Sequence, residues 1–125
     1  MLLHVKINNE DKKKQPKSYH CANCGTYITD SAAVAKINGS ESHSFVNPVG
    51  VQCNFRTFFE CHNVWVSDEL ILEHSWFPGY GWRFLICSNC SGHLGWKYDA
   101  VKKKAGAKAF YGVLTETVEE VADGE

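Results

Sequence analysis

Two C-x-x-C motifs carry the clearest metal-binding signal in this 125-residue sequence: Cys21 with Cys24, and Cys87 with Cys90. Each motif places two thiolates on one side of a tight turn, and a glycine that follows lets the backbone fold beneath a metal ion. Four thiolates suit one tetrahedral Zn²⁺, and a complete shell of protein ligands leaves no position for a catalytic water. The motifs therefore predict one structural zinc. Disulfides are the alternative, and they require an oxidising compartment.

Three of the four tryptophans, Trp76, Trp82 and Trp96, fall in a second chemically distinctive stretch around the later motif. A Pro-Gly pair between Trp76 and Trp82 indicates a turn, so that the two indoles can form facing walls. If the polypeptide returns as a strand after the second motif, the period of two puts Trp96 and Tyr98 on the same face. These four residues can therefore surround a pocket.

Three polar residues, Glu73, His74 and Ser75, lead directly into Trp76. Aromatic side chains usually fill a core, but tryptophan is costly to bury completely because its indole N–H needs a partner. Polar groups beside the rings would orient a ligand lying between them. We therefore predict a ligand pocket with aromatic walls and a polar edge.

The two remaining cysteines, Cys53 and Cys61, lie in a segment rich in strand-forming residues. No histidine stands at a spacing that is diagnostic of a thiol catalyst. His62 directly follows Cys61, and adjacent residues of a strand point to opposite faces. Both cysteines are therefore expected to be buried or half-buried free thiols.

The composition is ordinary for a globular protein, with a formal net charge of −1 and 44% hydrophobic and 22% charged residues. This charge provides no general attraction for nucleic acid or an anionic membrane, so neither partner is expected. No apolar run approaches the roughly 20 residues of a membrane helix, and the N-terminus lacks the apolar core of a signal peptide. The expected location is the cytoplasm or the nucleus.

Short strand-forming segments between turn signals predict an all-β domain with little or no helix. Residues 1–18 contain a run of three lysines and a proline, and we expect an N-terminal arm or linker there. The domain is expected to span residues 19–117. Residues 118–125 are expected to form an acidic, frayed tail.

The order of these motifs resembles the cereblon-type CULT domains, which are thalidomide-binding domains. The resemblance covers residues 19–117 and includes both C-x-x-C motifs in the right order. The other matching segments are Glu73-His74-Ser75-Trp76-Phe77-Pro78-Gly79-Tyr80-Gly81-Trp82, Gly95-Trp96-Lys97-Tyr98, Phe110-Tyr111-Gly112-Val113-Leu114-Thr115, and Val46-Asn47-Pro48 with Gly50.

This resemblance implies an all-β fold called a β-tent, in which two antiparallel sheets are pinned by one structural zinc on the four motif cysteines. It also implies a cage formed by Trp76, Trp82 and Trp96, with Tyr98 closing its floor. Such a cage binds cyclic imides, among them glutarimide and thalidomide-type ligands. The implied natural ligands are C-terminal cyclic imides, which mark proteins for ubiquitination.

The polar contacts of the ligand are also implied by the resemblance. Backbone groups of His74 and Trp76, with the His74 imidazole, would hydrogen-bond the imide. Asn47 and Pro48 would flank its exposed end. The sequence has no counterpart of the Lon-like domain or of the adaptor-docking helices of cereblon, so contact of this protein alone with a ubiquitin-ligase adaptor is not expected.

The expected function is a binding module for imides, and the protein is not expected to be an enzyme. Two other functions stay open. An aromatic cage can instead read methylated ammonium groups, because tryptophan faces attract cations, and a nearby carboxylate such as Glu73 would support that function. A thiol enzyme of the methionine sulfoxide reductase type shares a related fold. It would require Cys53 or Cys61 at the pocket with a lowered pKa.

Overall fold

The computed structural model describes residues 15–102 and 106–122, and these residues form nine β-strands in two sheets. Residues 1–14 of the expected arm lie outside the described residues. The strands are β1 (Lys17–Cys21), β2 (Tyr27–Asp30), β3 (Ser42–Val46), β4 (Gln52–Phe58), β5 (Val64–Val66), β6 (Tyr80–Cys87), β7 (His93–Ala100), β8 (Phe110–Leu114) and β9 (Val118–Ala122).

The small sheet has the strand order β2-β1-β9, and the large sheet has the order β3-β4-β8-β7-β6-β5. Every pair of neighbouring strands is antiparallel. The only helical segments in the described part of the protein are two 3-10 turns, Ser31–Ala33 and Thr115–Thr117. No helix there has the length and hydrophobicity needed to cross a membrane. The predicted all-β architecture, two antiparallel sheets arranged as in a β-tent, is confirmed.

In the part of the protein that the structure describes, two hydrophobic clusters fill the interior. The first brings Ile28 of the small sheet together with Phe58 and Leu85 of the large sheet, and each of the three is at most 1% exposed. The second lies within the large sheet and its loops, around Phe55 and Phe110, and the cage tryptophans pack against it. The first cluster therefore joins the two sheets, whereas the second supports the aromatic stretch.

The acidic C-terminal segment is a strand over residues Val118–Ala122, so the expectation of a frayed tail is wrong for these residues. This strand, β9, pairs with all five residues of β1. Its Glu120 carboxylate lies 3.1 Å from Lys17 Nζ and 3.1 Å from Arg56 Nη1 on β4. Acidic residues usually face solvent unpaired, but here one of them links two strands of the small sheet to the large sheet. The ordered sheets thus extend beyond both expected domain boundaries.

Candidate functional site

The two cysteine motifs have the same backbone hydrogen bonds, although they lie in different sheets. In the first motif the Gly25 N–H donates to Cys21 O at 2.8 Å, and in the second the Ser91 N–H donates to Cys87 O at 2.9 Å. The first cysteine of each motif also donates its own N–H to the carbonyl five residues later. Gly25 has φ 81° and Ser91 has φ 65°, so both occupy the left-handed region. The expectation that a glycine serves both turns is therefore wrong for the second, where Ser91 precedes the glycine.

The four motif thiols converge at the junction of the sheets. Cys21 ends β1 of the small sheet and Cys87 ends β6 of the large sheet. The Sγ atoms of Cys21 and Cys90 are 3.6 Å apart, as are those of Cys24 and Cys87, and all four lie within 4.8 Å of one another. A tetrahedral ion with Zn–S bonds of about 2.3 Å requires S···S edges of about 3.8 Å. The four cysteines therefore fit one tetrahedral Zn²⁺.

The surroundings of the cluster raise the pKa of one of its thiols and lower the pKa of another. Burial raises the pKa of the Cys21 thiol to about 11. The Thr26 hydroxyl, 3.1 Å from Cys24 Sγ, lowers the pKa of the Cys24 thiol to about 6. A bound Zn²⁺ would hold all four as thiolates, because a coordinating thiol is deprotonated. Such a cation would thus offset the cost of burying Cys21 in charged form.

The Pro78-Gly79 turn places Trp76 beside the large sheet. The Tyr80 N–H donates to Phe77 O at 3.0 Å, and Gly79 has φ 88°, as the third position of a type II turn requires. The segment that leads to this turn is anchored to β6 by two backbone hydrogen bonds of 2.9 Å between Ile71 and Trp82. The sequence prediction of a chain reversal between Trp76 and Trp82 is therefore confirmed.

The walls of the pocket come from two neighbouring strands. Trp82 on β6 pairs with Tyr98 on β7, and two residues further along the strands Phe84 pairs with Trp96. Directly paired residues point to the same face of a sheet, so these four rings share one face, and Trp76 packs edge-to-face on Trp96 at 5.4 Å. The pocket has a volume of about 380 Å³, within the usual range for small-molecule sites. Its lining residues are Asn47, Pro48, His74, Trp76, Trp82, Phe84, His93, Trp96 and Tyr98.

Phe55 holds two of the walls from behind. Its ring stacks on Trp76 at 5.7 Å and meets Trp96 edge-to-face at 5.8 Å. This packing depends on Gly112 of β8, because a Cβ atom there would come within 2.8 Å of the Phe55 ring. Tyr98 is only 2% exposed, and its ring stacks on Phe110 at 5.0 Å. The pocket therefore rests on a fixed aromatic floor.

Residues 73–76 run along one side of the pocket, and His74 and Trp76 are the two of them that line it. The Trp82 indole N–H donates to Glu73 O at 2.8 Å, which fixes both the ring and the start of this segment. The Ser75 hydroxyl donates to Phe77 O at 3.1 Å, so Ser75 stabilises the turn. His74 has φ 62°, a left-handed conformation that is uncommon for residues other than glycine. Within the described part of the protein, the backbone N–H and carbonyl groups of His74 and Trp76 have no protein hydrogen-bond partner.

The structure brings seven of the nine predicted ligand-contacting residues into one pocket. Glu73 and Ser75 do not line it, and instead position Trp82 and Phe77. Sequence reasoning missed Phe84 and His93. Phe84 could have been found, because it follows Trp82 by two residues on the same strand. His93 could not, because a register shift between Leu85 and Ile86 decides which β7 residue faces the pocket.

Asn47 and Pro48 approach the pocket from the loop after β3. The Asn47 carboxamide oxygen accepts hydrogen bonds from the backbone N–H groups of Val49 and Val51, at 3.1 and 2.9 Å. The Asn47 N–H also donates to Val51 O at 2.9 Å. The asparagine thus holds its own loop in shape, and Pro48 lies exposed beside the aromatic walls.

Neither of the two cysteines outside the motifs lines the pocket. Cys53 is 7% exposed, and burial raises the pKa of its thiol. Burial likewise raises the pKa of the half-buried Cys61 to about 12. A reactive thiol needs a lowered pKa and access to the substrate. Neither cysteine meets the requirement of a thiol enzyme.

The fold and the site define a zinc-binding β-tent domain with an aromatic pocket, and comparison with known proteins places the sequence more closely. Residues 17–123 match the family described as "Yippee zinc-binding/DNA-binding /Mis18, centromere assembly". The protein belongs to this Yippee-Mis18 family. The family's description as zinc-binding agrees with the four-cysteine geometry, so the predicted single zinc is confirmed.

Similar curated proteins carry the name cereblon. The sequence is 32% identical to protein cereblon of Drosophila virilis over 110 residues, which cover 84% of this sequence and 17% of the fly protein. Identity to protein cereblon of Gallus gallus is 39% over 70 residues, or 56% of this sequence and 16% of the chicken protein. The sequence thus spans about a sixth of the length of these relatives. The resemblance to cereblon-type CULT domains is confirmed.

Proposed function

We propose that this protein is a zinc-stabilised module that binds cyclic imides, with a glutarimide ring held between Trp76, Trp82 and Trp96. The observation that carries the proposal is a set of unpaired backbone groups at His74 and Trp76, beside three indole walls. An imide presents one N–H donor between two carbonyl acceptors. A free backbone carbonyl and a free backbone N–H are the complement of that pattern.

The expected affinity follows from the same contacts. Each hydrogen bond contributes about 0.5 to 1.5 kcal/mol net, and apolar ligand surface buried against the rings contributes about 25 cal/mol per Å². Part of this is offset by the lost freedom of the ligand. A small imide should therefore bind with a Kd in the micromolar range, about −8 kcal/mol. The preformed aromatic floor supports this, since Tyr98 and Phe55 are already packed.

The composition of the lining argues against the two other functions. Among the described residues no carboxylate lines the pocket, so a methylated ammonium ion would lack a counter-charge from them. Glu73 contacts the Trp82 indole only through its backbone carbonyl, and its side chain is not part of the lining. The raised pKa values of the Cys53 and Cys61 thiols argue against a thiol enzyme, and we propose that the protein is not one. We expect neither nucleic acid nor membrane as partner, since the net charge of −1 provides no general attraction.

The natural ligands we propose are C-terminal cyclic imides on proteins or peptides. The sequence spans only about a sixth of its cereblon relatives, so any link to ubiquitination would depend on further components. We do not expect this protein alone to contact a ubiquitin-ligase adaptor. We propose the cytoplasm or nucleus as its location.

A titration followed by intrinsic tryptophan fluorescence tests the function. The zinc-loaded protein is titrated with glutarimide and, separately, with tetramethylammonium. We expect a saturable change with glutarimide in the micromolar range and none with tetramethylammonium below about 10 mM. Saturation with the ammonium alone would assign the pocket to methylated ammonium groups instead.

A further inference from the structure

The sheet face that carries the pocket continues beyond it towards the edge strand β5. Paired residues point to the same face, so the register defines successive rows of side chains on that face. These rows are Trp82 with Tyr98, then Phe84 with Trp96, then Trp65 with Ile86 and His93. The first two rows form the pocket. We call the third row, Trp65 with Ile86 and His93, the Trp65 surface.

The Trp65 surface is open to solvent although it is largely apolar. Trp65 is 69% exposed, and neither its ring nor its indole N–H has a partner within the described residues. The adjoining Phe84 is 41% exposed. Tryptophan is rarely left in this state, and an exposed apolar patch marks an interaction site more often than a scattered apolar residue does.

The Trp65 surface is continuous with the pocket. His93 belongs to the surface and also lines the pocket, where its ring lies 5.5 Å from that of Trp96. Phe84 lies 5.7 Å from His93 and 5.2 Å from Trp82. A molecule held in the cage could therefore extend over these rings without leaving the protein.

We propose that the Trp65 surface binds the polypeptide that precedes a C-terminal cyclic imide, an inference that rests on the function proposed above. Trp96 on β7 and Trp65 on β5 are two strands apart, at about 4.8 Å per strand, and Trp65 also lies one two-residue step of about 6.8 Å further along the strand direction. The direct distance between these two positions is therefore about 12 Å. An extended peptide spans this distance in about four residues. The preferred ligand carries an apolar side chain about four residues before the imide, packed on Trp65.

The charged residues near the Trp65 surface also favour one kind of peptide over another. Asp68 and Glu69 follow β5 and Glu73 lies at the edge of the pocket, and all three are exposed. Their carboxylates form no ion pair with other described residues. A neutral or basic peptide is therefore favoured over an acidic one, and the preference should weaken as salt is added.

Calorimetry with matched peptides tests this inference. The ligands are an acetyl-capped glutarimide and a seven-residue peptide that ends in the same imide, with either leucine or serine four residues before it. We expect the leucine peptide to bind about tenfold more tightly than the capped imide, and the serine peptide to lose most of that gain. Trp65→Ala should abolish the gain but leave the Kd of the capped imide unchanged. Phe59→Ala, which removes another exposed aromatic ring that lies outside the pocket, is the control and should change neither Kd.

The outcomes separate this inference from the function on which it rests. If the capped imide binds but both peptides bind no tighter, or if Trp65→Ala keeps the gain, the peptide surface is refuted and the imide pocket stands. If no imide binds, both fall together. Sedimentation of the wild type as a dimer, with Trp65→Ala monomeric, would show that a second copy covers Trp65 and would also overturn the inference.

Discussion

The cysteine cluster and the aromatic pocket use opposite means to fix their side chains. The cluster draws Cys21 and Cys87 from different sheets, and its four thiols have no covalent link except through a metal ion. The pocket draws its walls from adjacent strands of one sheet and from the turn before β6, and aromatic packing holds them. Losing the first region should separate the sheets, whereas losing a wall of the second should spare the fold.

The two regions also differ in what they leave unpaired. In the cluster, two backbone hydrogen bonds close each cysteine turn, and a third ties each turn to a distant segment, from the Ala22 N–H to Thr117 O and from the Ser88 N–H to Asn63 O. In the pocket, the backbone groups of His74 and Trp76 have no partner in the described part of the protein. Unpaired polar groups beside apolar walls are costly unless water or a ligand satisfies them. This difference supports a stabilising role for the cluster and the binding role that we propose for the pocket.

The largest effect is expected from a change at the cluster. Cys87→Ser removes a buried ligand, and structural zinc contributes on the order of 10 kcal/mol to the folding of small metal-dependent domains. We expect loss of the cooperative thermal transition together with loss of zinc by elemental analysis. Cys61→Ser lies outside the motifs and should keep one zinc per protein molecule. If the Cys87→Ser protein loses zinc but still unfolds in a cooperative thermal transition, the metal has no structural role.

The next effect concerns the pocket alone. Trp96→Ala removes a half-buried wall that contacts both Trp76 and Phe55, so we expect imide affinity to fall at least 100-fold. The free energy of unfolding should fall by about 3 kcal/mol, as for other large aromatic truncations, and zinc content should stay at one per protein molecule. Denaturant unfolding, elemental analysis and an imide titration measure these three quantities. Unchanged imide affinity in this variant would disprove the cage.

A smaller effect separates the two cysteine turns. Ser91 has φ 65°, a conformation that costs a non-glycine residue about 1 kcal/mol, so Ser91→Gly should stabilise the protein by about that amount. Gly25→Ala is the matched change in the other turn, where a Cβ meets no atom within 4 Å, so only the backbone penalty applies. It should destabilise by a similar amount, measured by urea unfolding of zinc-loaded protein. If the two turns are equivalent, the free energy of unfolding must rise for Ser91→Gly and fall for Gly25→Ala. A change of the same sign in both variants would contradict this equivalence.

The smallest effect lies at the ion pairs between the sheets. Partial burial raises the pKa of Glu120, but the hydrogen bond from Lys17 and the charges of Lys17 and Arg56 outweigh it, so the pKa is lowered. A lowered pKa in the folded state means that this stabilisation is present above the unfolded pKa of about 4.3 and is lost as the pH falls through the folded value. Because these side chains are about one-third exposed, Glu120→Gln should cost only about 0.5 kcal/mol at pH 7.

Urea unfolding of zinc-loaded wild type and Glu120→Gln at pH 7, at low salt and in about 1 M salt, checks this prediction. The thiolate ligands keep the zinc at this pH, so the difference between the two proteins isolates the carboxylate. We expect that difference to shrink in high salt, because salt screens partly exposed charges. A difference that is constant with salt would mean that Glu120 acts through packing and not through its charge.

Local chemistry made much of this protein predictable from its sequence. The cysteine spacing determines the ligand set, because two C-x-x-C turns supply four converging thiols. The Pro78-Gly79 pair determines the turn before β6, because each residue suits its φ. The period of two places Trp96 and Tyr98 on one face. In each case the residues that form the predictive motif lie close together in the sequence.

What could not be predicted depends on partners that are distant in sequence. Strand β9 forms because it pairs along its whole length with β1, about a hundred residues earlier in the sequence, and Glu120 adds ion pairs with Lys17 and Arg56. His93 reaches the pocket because of a register shift between β6 and β7, and no residue type in the sequence predicts this shift. The burial of Cys53 with Phe55 and Tyr98 likewise depends on the packing of three strands and a loop.

The central claim is that the pocket recognises an imide through its N–H as well as through its aromatic walls. Calorimetric titration of the zinc-loaded protein with glutarimide and with N-methylglutarimide tests it most directly, because the added methyl group removes the donor and retains the apolar ring. We predict micromolar binding of glutarimide and a loss of about tenfold or more for the methylated compound, because one hydrogen bond is removed and a backbone carbonyl is left unpaired. Equal affinity for the two compounds would contradict the claim, since the free backbone groups of His74 and Trp76 would then have no role in recognition.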